Sequence, residues 1–255
     1  MNKLTVIKVG GKIVEEEDSL KVLLDEFSKI EGAKILVHGG GRSATKVAEK
    51  MGIESKMVNG RRITDADTLS VVTMVYAGLV NKNIVARLQA REINAMGLTG
   101  ADMNIIQSVK RPVKEIDYGF VGDVESVDSL ALNNIISTGI IPVIAPLTHD
   151  KKGQLLNTNA DTIASEVAQA MTRFFDVSLV FCFEKKGVLR DENNDESVIA
   201  EINRDEFENL KNQGIIQGGM IPKLENAFHA IDKGVKEVII TQARNIADNS
   251  GTVIR

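Results

Sequence analysis

The sequence predicts an α/β fold built on a mainly parallel β-sheet that helices cover on both faces. Short apolar runs alternate with segments of helical spacing along the 255-residue chain. The runs are nearly continuous, as is typical of strands buried on both sides. Glycines follow the first two runs, where parallel strands turn into helices. Strands that alternate with helices of this length indicate a parallel sheet enclosed by two helical layers.

Each predicted element follows from its local pattern. Strands are predicted at residues 4–9, 33–37, 140–145, 178–183 and 235–241. Helices are predicted at residues 19–30, 65–89, 130–138, 161–171, 204–212 and 222–233, and in the segment that follows Gly41 up to Met51. Asp65 is predicted to cap the long helix, and Pro222 occupies a first-turn position that proline tolerates.

The remaining stretches do not follow the strand–helix alternation. Residues 104–125 contain short extended runs broken by turn residues, which predicts a hairpin laid over the main sheet. Residues 58–64 predict a loop or a short strand. Residues 153–161 predict a polar loop that opens the next helix. We therefore expect one domain, residues 1–255.

Composition limits the functional classes. Hydrophobic residues make up 43% of the chain and charged residues 26%, which is typical of a folded globular protein. The net charge of −4 argues against a generally basic nucleic-acid-binding surface. Cys182 is the only cysteine, so no internal disulfide forms. A strand begins almost at the first residue and no apolar run reaches ~20 residues, so we expect a cytoplasmic protein without a signal peptide or membrane span.

The stretch from Ala33 to Met51 carries the first functional signal. An apolar run ends at Val37, and the glycines at 39–41 separate it from the helix. Glycines let a bound group approach the backbone, and a helix start presents unpaired N–H groups to an anion. The pattern predicts a phosphate cradle, although such turns also occur for packing alone. Its spacing is neither that of the dinucleotide fingerprint nor that of the P-loop.

In open α/β sheets, ligands bind beyond the carboxyl ends of the strands, so candidate site residues are sought in the loops there. These loops contain Lys8, Gly10, Gly11, Gly39, Gly40, Gly41, Asn157, Asn159, Asp161, Gly218, Gly219 and Lys223. The set includes no His-rich or Cys-rich metal cluster and no Gly-x-Ser-x-Gly turn. Lysines, one carboxylate and glycine amides favour phosphoryl transfer, which depends on positioning and cationic stabilisation. His38, beside the glycines, is predicted to be structural.

Several motifs occur in an order that resembles the amino-acid kinase family. They are IKVGG at 7–11, VHGGG at 37–41, NGRRITD at 59–65, AGLVNK at 77–82, NTNAD at 157–161, GGMIPK at 218–223 and GTVI at 251–254. The resemblance covers nearly the whole chain. It implies a three-layer α/β/α sandwich with an N-acylglutamate site and probable dimer contacts in a lobe at 1–168 and a nucleotide site in a lobe at 169–255.

The resemblance also implies roles for single residues. The expected catalytic residues are Lys8, Lys223 and Asp161, with the carboxylate orienting both lysines. Expected substrate contacts come from Arg62, Asn157, Gly40 and Gly41. Expected nucleotide contacts come from Lys8, Gly10, Gly11, Gly218, Gly219 and Lys223. The Arg62 guanidinium suits a carboxylate because its planar fork donates two parallel hydrogen bonds.

The implied reaction is ATP-dependent phosphorylation of the γ-carboxylate of an N-acylglutamate in arginine biosynthesis. ATP is expected to bring Mg²⁺, held mainly by its phosphates, and the protein is expected to form a homodimer. The acyl group, acetyl or succinyl, stays open. At residues 183–186 this chain reads FEKK, where the family usually carries a Thr-Asp or Ser-Asp pair. A short C-terminal loop also differs, so an acylglutamate-binding regulatory protein without catalysis is the alternative.

Overall fold

The computed structural model describes residues 1–58, 60–248 and 250–255. Asn59, the first residue of the NGRRITD motif, lies outside them. The strands are β1 (Asn2–Val9), β2 (Ala33–His38), β3 (Met57–Val58), β4 (Arg61–Arg62), β5 (Ala95–Leu98), β6 (Ile106–Lys110), β7 (Gly122–Val127), β8 (Ile141–Ile144), β9 (Leu147–His149), β10 (Leu155–Asn157), β11 (Phe175–Phe183), β12 (Glu201–Ile202), β13 (Glu237–Gln242) and β14 (Thr252–Ile254).

Helices connect most of these strands. The α-helices are α1 (Gly11–Glu15), α2 (Glu17–Lys29), α3 (Gly41–Lys50), α4 (Ala66–Val72), α5 (Asn81–Gln89), α6 (Ser129–Ser137), α7 (Ala160–Met171), α8 (Arg204–Asn212) and α9 (Met220–Asp232). A π-helical segment, Thr73–Val80, joins α4 to α5. Short 3₁₀ turns lie at Asp102–Asn104 and Ala243–Asn245.

The main sheet has eight strands in the order β12-β14-β13-β11-β1-β2-β8-β5. Neighbouring strands are parallel except for β13 and β14. The predicted parallel sheet is therefore confirmed. The predicted hairpin over 104–125 is also confirmed, because β6 and β7 pair antiparallel within a second sheet of order β10-β9-β6-β7.

One apolar cluster lies on each face of the main sheet, which gives the protein three layers. Along β1, Leu4 and Val6 belong to the cluster covered by α7 and α9, whereas Ile7 and Val9 belong to the cluster covered by α2 and the long helix. Successive side chains of a strand point to opposite faces. Lys8 therefore shares a face with Leu4 and Val6, and points toward α7 and α9.

The long helix predicted at 65–89 is present as α4, the π-helical segment and α5. Asp65 caps it as predicted, since its Oδ1 accepts a hydrogen bond of 2.8 Å from a first-turn N–H. Residues 66–89 form a helix of 24 residues that is long enough to span a bilayer, and an 18-residue window within it is apolar enough, with a mean hydropathy of 1.4. In the fold, however, Val72 and Ile84 are fully buried against the sheet. One face of this helix thus belongs to the protein core.

The predicted polar loop at 153–161 is wrong in its centre. Leu155–Asn157 form β10, which pairs antiparallel with β9 and buries Leu156 completely. The strand is only three residues long, so its local pattern is too short to outweigh the polar residues around it. Pairing with a distant strand decides its conformation.

Strand register brings the functional loops to one edge of the sheet. Val9, near the end of β1, pairs with His38 of β2 and with Cys182 of β11. These parallel strands therefore end at the same level. The glycine turns at 10–11 and 39–41 and the residues after β11 meet there.

Candidate active site

Lys8 and Asp161 form an ion pair at this edge. Lys8 is only 7% exposed, and its Nζ lies 2.8 Å from Asp161 Oδ1. Asp161 stands in the first turn of α7, where the Asn159 side chain caps the helix by accepting hydrogen bonds from the N–H groups of Asp161 and Thr162 at 2.8 and 3.1 Å. Asn159 thus positions the helix start that carries the carboxylate.

Lys223 reaches the same place from α9. Its Nζ lies 4.0 Å from the centre of the Phe183 ring, and Lys8 Nζ lies 5.2 Å from the same ring centre. Burial lowers the pKa of Lys223, the negative charge of Asp161 raises it, and the positive charge of Lys8 lowers it again. The structure therefore brings together all three residues that the sequence nominates for catalysis.

The two glycine turns pack against each other. A Cβ at Gly39 would lie 3.2 Å from Gly11 N, and one at Gly11 would lie 3.6 Å from both Gly40 N and Gly41 N. At Gly40 an added Cβ would come within 2.9 Å of the Tyr76 ring. A side chain at Gly39 would therefore crowd the first turn and one at Gly40 would clash with Tyr76, so glycine at these two positions lets the turns approach each other at the starts of α1 and α3.

Two cavities meet at these turns. The large cleft has a volume of about 760 Å³ and is lined by Lys8, Gly10, Gly11, Lys12, Ile13, Gly41, Arg42, Phe183, Glu184, Lys185, Gly187, Val188, Leu189, Glu192, Asn193, Ile215, Ile216, Gln217, Met220, Lys223 and Ile240. The inner pocket has a volume of about 190 Å³ and is lined by Gly39, Gly40, Gly41, Met57, Gly60, Arg61, Arg62, Tyr76, Val121, Pro146, Asn157, Thr158, Asn159 and Ala160. Gly41 lines both cavities.

Arg62 is a buried cation in the wall of the inner pocket. It is 8% exposed, and its guanidinium donates hydrogen bonds to Ser55 Oγ at 2.7 Å, Gly41 O at 2.8 Å and Thr45 Oγ1 at 2.9 Å. Within residues 1–58, 60–248 and 250–255 it has no carboxylate at ion-pair distance. A buried charge without an opposite charge is costly, so the pocket favours an anionic ligand.

Other nominated residues lie in or beside the two cavities. Asn157 lines the inner pocket, where its side chain donates a hydrogen bond of 3.0 Å to Thr64 Oγ1. Gly218 and Gly219 stand at the start of α9, between two cleft-lining neighbours, Gln217 and Met220. Gly218 has a φ of +52°, which favours glycine.

Some residues that contact the site are not among those predicted from the sequence. Thr45 lies one helical turn after Gly41, so helical spacing alone could have found it. Ser55 and Tyr76 reach the site only through the fold. The FEKK segment departs from the family pattern, and its residues Phe183, Glu184 and Lys185 line the large cleft, where Glu184 forms an ion pair of 2.8 Å with Lys12.

His38 stabilises the second glycine turn by hydrogen bonding from the face of the sheet opposite to Lys8. The fully buried imidazole has Nδ1 2.7 Å from Gly39 O, so Nδ1 carries the proton and donates. Its Nε2 then accepts from Asn81 Nδ2 at 3.1 Å, and the same amide donates to Val143 O at 2.9 Å. The structural role predicted for His38 is thereby explained: it ties the turn to the long helix and to β8.

The sequence profile of the amino acid kinase family matches residues 3–242. The chain therefore belongs to the amino acid kinase family, as its motifs predict. Acetylglutamate kinase of Bacteroides thetaiotaomicron is 71% identical over 253 residues, which cover 99% of this chain and 98% of that protein. Acetylglutamate kinase of Methanopyrus kandleri is 40% identical over 256 residues, 99% of this chain and 100% of that protein.

Solved structures share the same fold. The protein smu.665 of Streptococcus mutans superposes with a TM-score of 0.77 at 28% identity, covering 98% of each chain. Carbamate kinase of Giardia lamblia bound to AMP-PNP superposes with a TM-score of 0.70 at 15% identity, covering 99% of this chain and 98% of that chain. The predicted α/β/α architecture is therefore confirmed.

The buried imidazole makes stability depend on pH. Burial, reinforced by the charge of Lys82 and opposed by the hydrogen bond to Gly39 O, lowers the pKa of His38 to about 4, against 6.5 when unfolded. Between these values the unfolded chain binds the extra proton. We therefore expect this histidine's contribution to the free energy of unfolding, complete above pH 6.5, to fall by roughly 3 kcal/mol on acidification to pH 4.

Urea unfolding of wild type and of His38→Asn at pH 7 and pH 4 measures this contribution. The wild type should lose more stability than the variant over that interval. His229→Asn, at an exposed histidine, is the matched control and should keep the wild-type dependence. Equal losses in wild type and His38→Asn would contradict the role of the imidazole.

Proposed function

We propose that this chain is an ATP-dependent kinase that phosphorylates the γ-carboxylate of N-acetyl-L-glutamate, a step of arginine biosynthesis. The observation that carries the proposal is that a large cleft and a smaller, cation-lined pocket meet at glycine turns beside Lys8, Asp161 and Lys223. A donor and an acceptor bound in the two cavities would face each other there. The names of the 71% and 40% identical relatives support N-acetylglutamate as the acceptor.

The reaction needs no catalytic base. A glutamate γ-carboxyl has a pKa of roughly 4.3, so the nucleophile is already ionised at neutral pH. The task of the protein is to bring a carboxylate oxygen up to the γ-phosphorus of ATP despite the repulsion between two anions. Lysine ammonium groups and the amides at helix starts reduce that repulsion, and positioning supplies most of the remaining rate.

The two lysines divide this work. Lys8 stands two residues before the glycine turn at 10–11 and would neutralise the phosphoryl group in transfer. Lys223 approaches from α9 and would stabilise the charge that develops on the ADP side. Asp161, paired with Lys8, would orient both ammonium groups, while the amides of the glycine turns would bind phosphoryl oxygens.

The cavities suggest which half of the chain binds which substrate. Every residue lining the inner pocket lies within 1–168, and most of those lining the large cleft lie within 169–255. Arg62 would bind the α-carboxylate of the acceptor, and Asn157 would bind its amino-acid end. Apolar residues such as Val188, Leu189 and Ile216 would contact the base of the nucleotide. Gly218 and Gly219 would lie at the same wall of the cleft, because they precede the first turn of α9.

Magnesium would enter with ATP. Divalent magnesium is usually held by substrate phosphates with few protein ligands, and it neutralises their charge. Cleft lysines would share that neutralisation, so the metal would be retained mainly by phosphate oxygens.

We further propose a cytoplasmic homodimer. On the outer side of the long helix, Met74 and Leu79 are 50% and 53% exposed, and Met96 on β5 is 39% exposed. Lys82, one turn after Leu79, donates to Gly97 O at 3.0 Å, which places this helix face next to β5. β5 is the end strand of the main sheet. A second copy of the chain is the occupant that would cover this apolar face and strand edge together.

ADP release will test the function across N-acetylglutamate, N-succinylglutamate, aspartate and carbamate. We expect turnover with N-acetylglutamate and a fall in kcat of about 10²–10³-fold in Lys8→Met and Lys223→Met, because each loses a charge that stabilises the transition state. Lys185→Met is the matched control, since Lys185 lines the same cleft but pairs with Asp195. It should change kcat by less than about threefold. Activity on aspartate or carbamate alone would reject the assignment.

Arg62→Lys should raise the KM for N-acetylglutamate about 10- to 100-fold with a smaller effect on kcat, because lysine keeps the charge but loses the planar fork. Initial-rate kinetics at saturating ATP measure both constants. Arg61→Lys provides the neighbouring comparison, since Arg61 is exposed. If the KM for N-acetylglutamate rises as much in Arg61→Lys as in Arg62→Lys, the assignment of the carboxylate to Arg62 is wrong.

Leu79→Glu should convert a dimer into a monomer, because it places a charge on the apolar face of the long helix. Sedimentation velocity at micromolar concentration measures the oligomeric state. Val113→Glu changes an apolar side chain that is 61% exposed elsewhere and should leave the dimer intact. A monomeric wild type would refute the dimer.

A further inference from the structure

The ring of Phe183 faces both lysines of the site, and the reaction described above gives it no role. It is the last residue of β11, two positions after Phe181, which pairs in register with Lys8. Side chains two residues apart share a face of the sheet. Lys8, Phe181 and Phe183 therefore project toward α7 and α9 together. The ring of Phe183 also lines both the large cleft and a cavity of about 190 Å³ behind it that Asp161 and Lys223 line.

Both ammonium groups approach this one ring. Lys223 Nζ lies 4.0 Å and Lys8 Nζ 5.2 Å from its centroid, within the range in which the negative face of an aromatic ring attracts a cation. The ring is itself held in place, because it stacks on Phe181 with a centroid distance of 6.2 Å and an interplanar angle of 15°. Phe183 is thus a planar surface that faces two longer side chains.

The charges in this region explain why such a surface matters. Two positive ammonium groups repel each other. Among the described residues, Asp161 supplies the carboxylate that pairs with Lys8, and its side chain is 38% exposed. Glu166 also lines the cavity that Asp161 and Lys223 share. Lys223 has no ion-pair partner within that described part of the chain. An aromatic face supplies attraction without adding a negative charge that would repel the phosphates of a nucleotide.

We propose that Phe183 is a positioning residue for phosphoryl transfer: the face of its ring holds the Lys8 and Lys223 ammonium groups side by side at the meeting point of the two cavities. This inference rests on the proposed function, since it assigns the lysines to the transferring phosphoryl group. Its effect should fall on kcat, because the lysines act on charge that develops in the transition state.

Fluorination separates the ring's electrostatics from its shape. Replacing Phe183 by 3,4,5-trifluorophenylalanine keeps an aromatic ring of nearly the same size and withdraws the negative charge from its face. We expect kcat to fall about tenfold, with the KM for N-acetylglutamate changed by less than about twofold, and the thermal midpoint to stay unchanged. Phe183→Trp, which keeps an aromatic face, should retain activity. The same fluorinated residue at Phe175, at the opposite end of β11, is the matched control and should leave kcat unchanged.

A second readout does not require turnover. The pKa of Lys223, followed by NMR of protein with ¹³C-labelled lysine and assigned with Lys223→Arg, should fall further when Phe183 is fluorinated, because the ring stabilises the charged form. If wild type shows no kinase activity but this pKa falls, the proposed function fails, and only the interaction between the Phe183 ring and the Lys223 ammonium stands. If wild type is active and neither kcat nor the pKa responds, Phe183 has no positioning role.

Discussion

The site depends on holding two ammonium groups close together at the end of one strand. Like charges separate unless something compensates them, and here Asp161 pairs with Lys8 while the Phe183 ring faces both Lys8 and Lys223. The compensation is incomplete, since burial and the positive charge of Lys8 lower the pKa of Lys223 more than the negative charge of Asp161 raises it. The site therefore keeps an unmet demand for negative charge, which is the property that a phosphate-binding centre needs.

Strand register brings the groups of this site together. β1, β2 and β11 end at the same level, so both glycine turns and the residues after β11 occupy one edge of the sheet. The pleat then divides their side chains between two faces. Lys8 and Phe183 point to the side of α7 and α9, whereas His38 points to the long helix and secures the turn at Gly39 from behind. One face carries the chemistry and the other fixes the backbone.

The partners of the other buried polar groups also indicate what each group does. His38 is fully buried, and both of its ring nitrogens have partners, so it stays neutral and acts as a tie. Arg62 is buried with hydrogen bonds to neutral oxygens, so its charge remains available to a ligand. A neutral group with every partner satisfied stabilises the fold, and a buried cation without a counter-ion favours an anion beside it.

The sequence by itself determined the strand–helix alternation, the parallel sheet, the cap at Asp65 and the positions of Lys8, Asp161 and Lys223, because these depend on short-range periodicity and on motifs in a set order. Tertiary structure decided what local patterns cannot encode. β10 exists through pairing with β9, and Tyr76 and Ser55 reach the site from distant segments. In the sequence, Phe183 is only the first residue of a segment that departs from the family motif. The register of β11 against β1 places the Phe183 ring next to Lys8. These two residues are about 175 positions apart in the chain, so only folding brings them into contact.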